Sequence, residues 1–183
     1  MNRPELRFLI TACALAFAAH GAAAQTPSPM KAGLWQVHIE RQENGQDMPD
    51  PSERMRERMK TMTPEQRQRI EEMMKKQGVA PGAGGVTKLC YSQKMVERGD
   101  WSDQSSCKTA YSSRTATSWK WHSSCPAAGY EGDGEASFSD PEHFTVTSSG
   151  VSTIEGKERT TKFTRTGKWL GADCGDLKPM DSK

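Results

Sequence analysis

The sequence predicts an α+β protein: an antiparallel meander sheet that can curl into a half-barrel, carrying a Met-rich helical insert. Three observations predict it. Apolar and polar residues alternate with period two through several segments rich in Trp, Phe, Val and Thr, the pattern of strands with one wet face. Residues 48–78 break that pattern with a charged stretch holding Met at helical spacing. Gly, Pro, Asp and Ser then separate the later segments at short intervals, which suits hairpins better than crossover helices.

The first strand starts at Leu34. Trp35, Val37 and Ile39 share one face, opposite Leu34, Gln36, His38 and Glu40, and Asn44-Gly45 follows as a turn signal. In the insert, about residues 51–77, Ser52 is the expected N-cap, with Met55, Met59 and Met62 on one stripe. Thr63-Pro64-Glu65-Gln66 is a fresh start: an N-cap, Pro at the first helical position and a Gln that closes a capping box. Two short helices, or one broken at Thr63, are therefore expected, the second part carrying Ile70, Met73 and Met74, ending near Gln77 and stopped by Gly78. A stripe this narrow needs support from elsewhere or stays mobile. Residues 78–85, GVAPGAGG, are expected as a flexible linker. A short strand leads into Cys90, Ser92 caps a brief helical turn, and Trp101 lies in a polar segment before Cys107. Further strands are expected over residues 108–113, 115–125, 129–139, 144–149 and 160–170, with a polar, frayed tail after Cys174.

Residues 1–24 have the layout of a secretory leader. Arg3 and Arg7 precede an apolar stretch, and Ala22-Ala23-Ala24 offers a small-residue cleavage site. The apolar stretch is too short for a stable anchor, and too little of it precedes Cys13 for a lipoprotein site. Residues 25–183 are then one periplasmic domain, opening on a polar lead, QTPSPMK. It retains Cys90, Cys107, Cys125 and Cys174. Four cysteines in an exported chain imply two disulfides with three connectivities. Cys90 and Cys107 are near in sequence and flank one short segment, and Cys125 and Cys174 each end a strand-like stretch, so Cys90–Cys107 with Cys125–Cys174 is the expected pairing. A four-thiolate zinc site lacks any C-x-x-C pair.

The chain has 183 residues and a net charge of +2, from 25 Lys+Arg against 23 Asp+Glu. That balance removes electrostatic nucleic-acid binding as the default function. After the leader no apolar run is long enough for a transmembrane helix. His38, His122 and His143 fall on separate segments without ligand spacing, so no metal is called for. Met59 and Met62 form the one M-x-x-M pair, too little for a copper(I) site against an ordinary packing stripe. There is no G-x-S-x-G elbow for a serine hydrolase. Glu131, Asp133 and Glu135 share one strand face but do not follow the calcium-loop pattern. They are expected as a solvated face, with Lys157, Arg159, Lys162 and Arg165 as candidate counter-charges. No cofactor is called for.

Lys31-Ala32-Gly33-Leu34-Trp35, the Met-rich insert with its Gly-rich loop before Cys90, and Trp169-Leu170-Gly171-Ala172-Asp173-Cys174-Gly175 together resemble a family of small exported Gram-negative proteins, a domain family of unknown function. The resemblance spans nearly all of the chain after the leader. It implies a periplasmic home and a four-cysteine pattern like this one, and it carries over no catalytic residue.

The aromatic residues are the remaining candidates for a site. Trp35, Trp119, Trp121, Phe138, Phe144, Phe163 and Trp169 can line one concave sheet face. They either fill the core, as a small domain requires, or leave room for an apolar ligand with the Met-rich helices as a lid. The expected function is a non-enzymatic binding or interaction module, taking an apolar small molecule or an envelope protein. The rival is an enzyme whose site is assembled across strands. A dry aromatic pocket favours the binder, several polar groups with displaced pKa favour the enzyme, and a filled core with an exposed Met stripe favours a protein partner.

Overall fold

The computed structural model describes residues 29–98, 107–154 and 156–180. The expected leader with Cys13, and the segment around Trp101, lie outside the described residues. Nine strands form one antiparallel sheet. In chain order they are β1 (Gly33–Glu43), β2 (Gln46–Met48), β3 (Val79–Pro81), β4 (Val86–Tyr91), β5 (Lys108–Arg114), β6 (Ser118–Cys125), β7 (Tyr130–Asp140), β8 (His143–Ile154) and β9 (Lys157–Gly171). The spatial order is β3-β4-β1-β9-β8-β7-β6-β5, with β2 beside β1. The run from β5 to β9 is an uninterrupted meander, and β1 returns to pair with β9. The sheet is open, not closed. Its edges are short: β3 carries Pro81, which has no amide to offer another strand, and β5 ends on Arg114.

The helices are α1 (Pro51–Lys60), α2 (Pro64–Lys76) and α3 (Gln93–Arg98). Thr63 and Gln66 form the expected reciprocal cap on α2, and Gly78 follows it with φ +74°. Asp50, not Ser52, caps α1: its carboxylate accepts the Ser52 amide at 2.6 Å. Pro51 at the first helical position sets that frame, because the cap must precede it. Ser92 caps α3 through a bond from the Met95 amide at 3.1 Å. Asn44 and Gly45 both take positive φ, 50° and 77°, and close the two-residue hairpin between β1 and β2.

Other expectations are corrected. The linker over 78–85 is not free chain, since β3 pairs with β4. The fourth strand of the meander does not stop at Ser149. Gly150 lies mid-strand beside the Tyr130 ring, where a Cβ would collide. The described part of the tail, residues 175–180, is not frayed. Leu177 is buried, and the Met180 amide donates to the Cys90 carbonyl at 2.7 Å.

The disulfides are Cys90–Cys174 and Cys107–Cys125, not the expected Cys90–Cys107 with Cys125–Cys174. Sheet order explains both. Leu34 pairs with Cys90 on one side and Gly171 on the other, so the chain leaving β9 emerges near Cys90. Lys108 faces Ser124 in the β5–β6 hairpin, which sets Cys107 against Cys125.

Side chains of alternate residues make the inner face. Cross-strand rows run across it. One holds Phe138, Phe144, Gly167 and Val37; the next holds Trp119, Ala136, Val146, Arg165 and Ile39; a third holds Tyr111, Trp121, Gly134, Ser148, Phe163 and Arg41. Met95 and Val96 of α3, with Met30, cover the Trp35 end of this face and complete the core there.

Candidate functional site

The inner face is filled at one end and hollow at the other. Trp35 and Trp119 are 0% and 1% exposed. Their indole N–H groups donate to the carbonyls of Lys31 and Thr115, both at 3.0 Å. Trp35 packs on Phe144 with ring centres 5.2 Å apart, and Trp119 on Phe138 at 5.1 Å. Buried aromatics with their polar atoms satisfied are structural. Along β8 and β6 the inward positions then open: Phe144 is buried, Val146 and Ser148 only half-buried, and Trp119 gives way to half-buried Trp121 and Ser123.

A cavity of about 250 Å³ occupies the hollow end. Trp121, Phe138, Phe144, Val146 and Phe163 supply most of its apolar wall, and Met30 and Tyr111 close its sides. Thr109, Ser123 and Ser148 add hydroxyls, and Arg165 adds the one charged group in the lining. Glycine makes the shape possible. A Cβ at Gly134 would enter the Trp121 ring, and one at Gly167 would enter the Phe144 ring. Both rings therefore lie flat across a neighbouring strand.

The seven aromatics expected on this face do share it, but only some meet the cavity. Trp121, Phe138, Phe144 and Phe163 line it, Phe138 and Phe144 also belonging to the core; Trp35 and Trp119 belong to the core alone. Trp169 lies at the far end, donating to the Ala32 carbonyl at 3.0 Å beneath the Lys31 ammonium, which is 4.6 Å from its ring centre. No lining residue comes from α1 or α2, so the helical insert is not a lid on this cavity. Met59 of α1 is buried, whereas α2 buries none of its residues and Met73 is 53% exposed.

Sequence reasoning missed Met30, Tyr111, Val146 and Arg165 as wall residues. Arg165 was expected to face carboxylates, yet its strand parity with Phe163 already placed it on the aromatic face. The acidic row takes its partners from β6 instead. Asp133 meets His122 at 3.0 Å, Glu131 accepts from the Ser124 hydroxyl at 3.0 Å, and Glu135 lies 3.5 Å from Lys120. Arg159 pairs with Glu43 at 2.8 Å. Of the four cations considered, Lys162 reaches the outer groove that Asp133 lines.

The polar atoms around the cavity differ from those elsewhere in the sheet. Trp35, Trp119 and Trp169 each donate to a backbone carbonyl. Among the described residues Trp121 makes no such bond. Arg41 pairs with Glu43 at 3.1 Å, Arg159 also pairs with Glu43, and Arg114 stacks 4.3 Å from the Trp119 ring centre. Arg165 has no carboxylate partner and no hydrogen bond among the described residues. Its charge faces Tyr91, whose phenol burial pushes up to about 12, Arg165 partly opposing that rise.

The groups with displaced pKa values are not themselves in the lining, although Tyr91 feels the charge of Arg165. At the start of α1, burial opposes ionisation of Asp50. Hydrogen bonds from Ser52 and Glu53, with the nearby His38 charge, outweigh it and hold the carboxyl below its usual range. Burial and the Asp133 charge raise Tyr130. Bonds from the Glu142 amide and His143 lower Asp140. Among the described residues no three His, Cys, Asp or Glu side chains gather as a metal site, and no helix is long and apolar enough to cross a membrane. Two disulfides are the chemistry of an oxidising compartment.

An uncharacterised Pseudomonas putida protein, encoded in the 5′ region of lpd-3, is 33% identical over 138 residues, covering 73% of this chain and 92% of that one. No solved structure matches the chain significantly. The family described as protein of unknown function (DUF3617) matches residues 30–174, and the chain belongs to it.

Proposed function

We propose that this chain is a non-enzymatic periplasmic binding protein, stapled by two disulfides, whose inner sheet face takes an apolar small molecule. The cavity of about 250 Å³ carries the reading. It is a little smaller than the roughly 300–1,000 Å³ of typical ligand sites, so it suits a small molecule or the end of a longer one. Its wall is aromatic and aliphatic with few polar groups, the composition that holds apolar ligands. The groups with displaced pKa values, Asp50, Glu65, Tyr91, Tyr130 and Asp140, are not in its lining, which favours a binder over an enzyme. The expected leader and the disulfides support the compartment.

The test is a neutral fluorescent probe, N-phenyl-1-naphthylamine, titrated into the wild type and into Ser148→Phe. Ser148 faces inward between Gly134 and Phe163, so the added ring occupies the cavity. The wild type should bind saturably, and the variant should lose at least about tenfold in affinity, the equivalent of about 1.4 kcal/mol. Thr109→Phe on the edge strand repeats the test should Ser148→Phe not fold. Equal affinity in wild type and a folded variant would refute the assignment.

A further inference from the structure

We infer that the molecule taken by this cavity is an amphipathic anion, with an apolar body against the aromatic wall and a carboxylate head on Arg165; this rests on the binding reading above. The argument starts from sheet register. Arg165 stands in an inward row whose other members are Trp119, Ala136, Val146 and Ile39. On its own strand the next inward residues are Phe163 and Gly167. An arginine in such a row is ordinarily neutralised by a carboxylate or stacked on a ring. Arg41 and Arg114 show both solutions within this sheet. Among the described residues Arg165 shows neither, and it lines the cavity.

A guanidinium offers donors in a planar fork that matches a carboxylate in two parallel hydrogen bonds. The half-buried position strengthens that pairing over one in open water. Trp121 adds an indole N–H that has no partner among the described residues, although it is at the wall. Ser148, inward on β8 opposite Phe163, adds a hydroxyl. Among the described residues the remaining wall has no carboxylate to repel an anion and no second cation to require a dianion. One negative charge on an apolar body is the chemistry that suits an apolar lining whose one charged group among the described residues is Arg165.

The experiment compares octanoate with 1-octanol, which share an apolar chain and differ in the head. Binding is followed by tryptophan fluorescence and confirmed by calorimetry. Wild type should bind octanoate at least about tenfold more tightly than octanol, the range expected for a charge-assisted hydrogen-bonded pair. Arg165→Met is close to arginine in size without its charge, and should abolish that preference by lowering octanoate affinity at least about tenfold relative to octanol. Arg165→Lys keeps the charge without the fork and should retain only part of the preference. Near-UV circular dichroism shows that each variant is folded. Equal binding of octanoate and octanol by the wild type overturns the anionic head and leaves the apolar cavity standing. A preference that survives in Arg165→Met overturns Arg165 as its source. Binding of neither probe overturns both readings.

Discussion

Removing the two disulfides separately should destabilise the protein by different amounts, in an order set by the sheet. Cys90–Cys174 closes a loop with a sequence separation of 84, and Cys107–Cys125 one of 18. The chain-entropy relation assigns about 4.5 kcal/mol to the longer loop and about 3 kcal/mol to the shorter. A further loss belongs to the longer loop alone. Cys174 tethers the segment in which Lys178 donates to the Lys75 carbonyl at 3.0 Å and Met180 to Cys90 at 2.7 Å. Untethered, that segment can fray and uncover Tyr91, which is 3% exposed. Buried sulfur is lost in both cases, since Cys90 and Cys125 are both buried, so that effect largely cancels. The assay is urea unfolding of Cys90→Ala/Cys174→Ala and of Cys107→Ala/Cys125→Ala. Extrapolated free energies are compared rather than midpoints, because removing a cross-link expands the unfolded state and changes the slope. The first variant should lose about 1–2 kcal/mol more than the second. A larger loss from the hairpin pair, or a Cys90–Cys107 peptide in an unreduced digest, would refute the reasoning.

Two further outcomes concern the helical insert. Replacing residues 51–77 with a short Gly/Ser linker should cost no more than about 2–3 kcal/mol, since Met59 and Ser52 are the buried residues of α1, α2 has none and the core cluster includes neither helix. Naphthylamine binding should persist; a chain that no longer folds would place the insert in the core. Asp50 makes stability fall in acid. Its folded-state pKa lies below the usual value, so its contribution is complete above the unfolded value of about 3.9 and disappears as pH drops through the folded one. Asp50→Asn keeps a capping acceptor without the titrating charge, and should narrow the gap between urea stabilities at pH 6 and pH 3. An unchanged gap would remove Asp50 from the account.

What was legible in the sequence was local. Period-two alternation located every strand of the meander, and Thr63-Pro64-Glu65-Gln66 marked the start of α2, because a capping box is written in four adjacent residues. Asn44-Gly45 marked its hairpin for the same reason. Alternation also put Trp119, Phe138, Phe163 and Trp169 on one face. What it could not supply was order across the sheet. Cys90 meets Cys174 because β1 lies between β4 and β9, a relation between segments far apart in the chain. The same gap misassigned the counter-charges of the acidic row. β7 neighbours β6 and β8, so His122 and Lys120 reach it, while Arg159 and Arg165 on β9 do not. The β5–β6 bridge was more accessible. Two strands joined by a short turn bring their outer ends together, and Cys107 and Cys125 sit at those ends.

The division of the inner face into a core and a hollow follows from what covers it. At the Trp35 end the sheet is capped by α3, a helix of six residues that places Met95 and Val96 on the aromatics. That length cannot extend across all five strands that converge on the cavity, since a helix advances only about 1.5 Å per residue. The insert, which is long enough, is anchored elsewhere: Arg56 donates to the Gly82 carbonyl at 3.0 Å, Lys178 to the Lys75 carbonyl, and Asp50 holds the start of α1 beside Gly85. Among the described residues neither element covers the hollow, where Trp121, Val146 and Phe163 are half-buried. A core built for stability alone would place an apolar side chain at position 165 and close the row from Trp119 to Ile39. Arg165, without a carboxylate partner or hydrogen bond among the described residues, keeps that row from closing on apolar contacts alone and gives it a sign. An aromatic wall, glycine-flattened rings and a guanidinium without a partner among the described residues suit the proposed ligand, with its apolar body and negative end, better than they suit packing against one another.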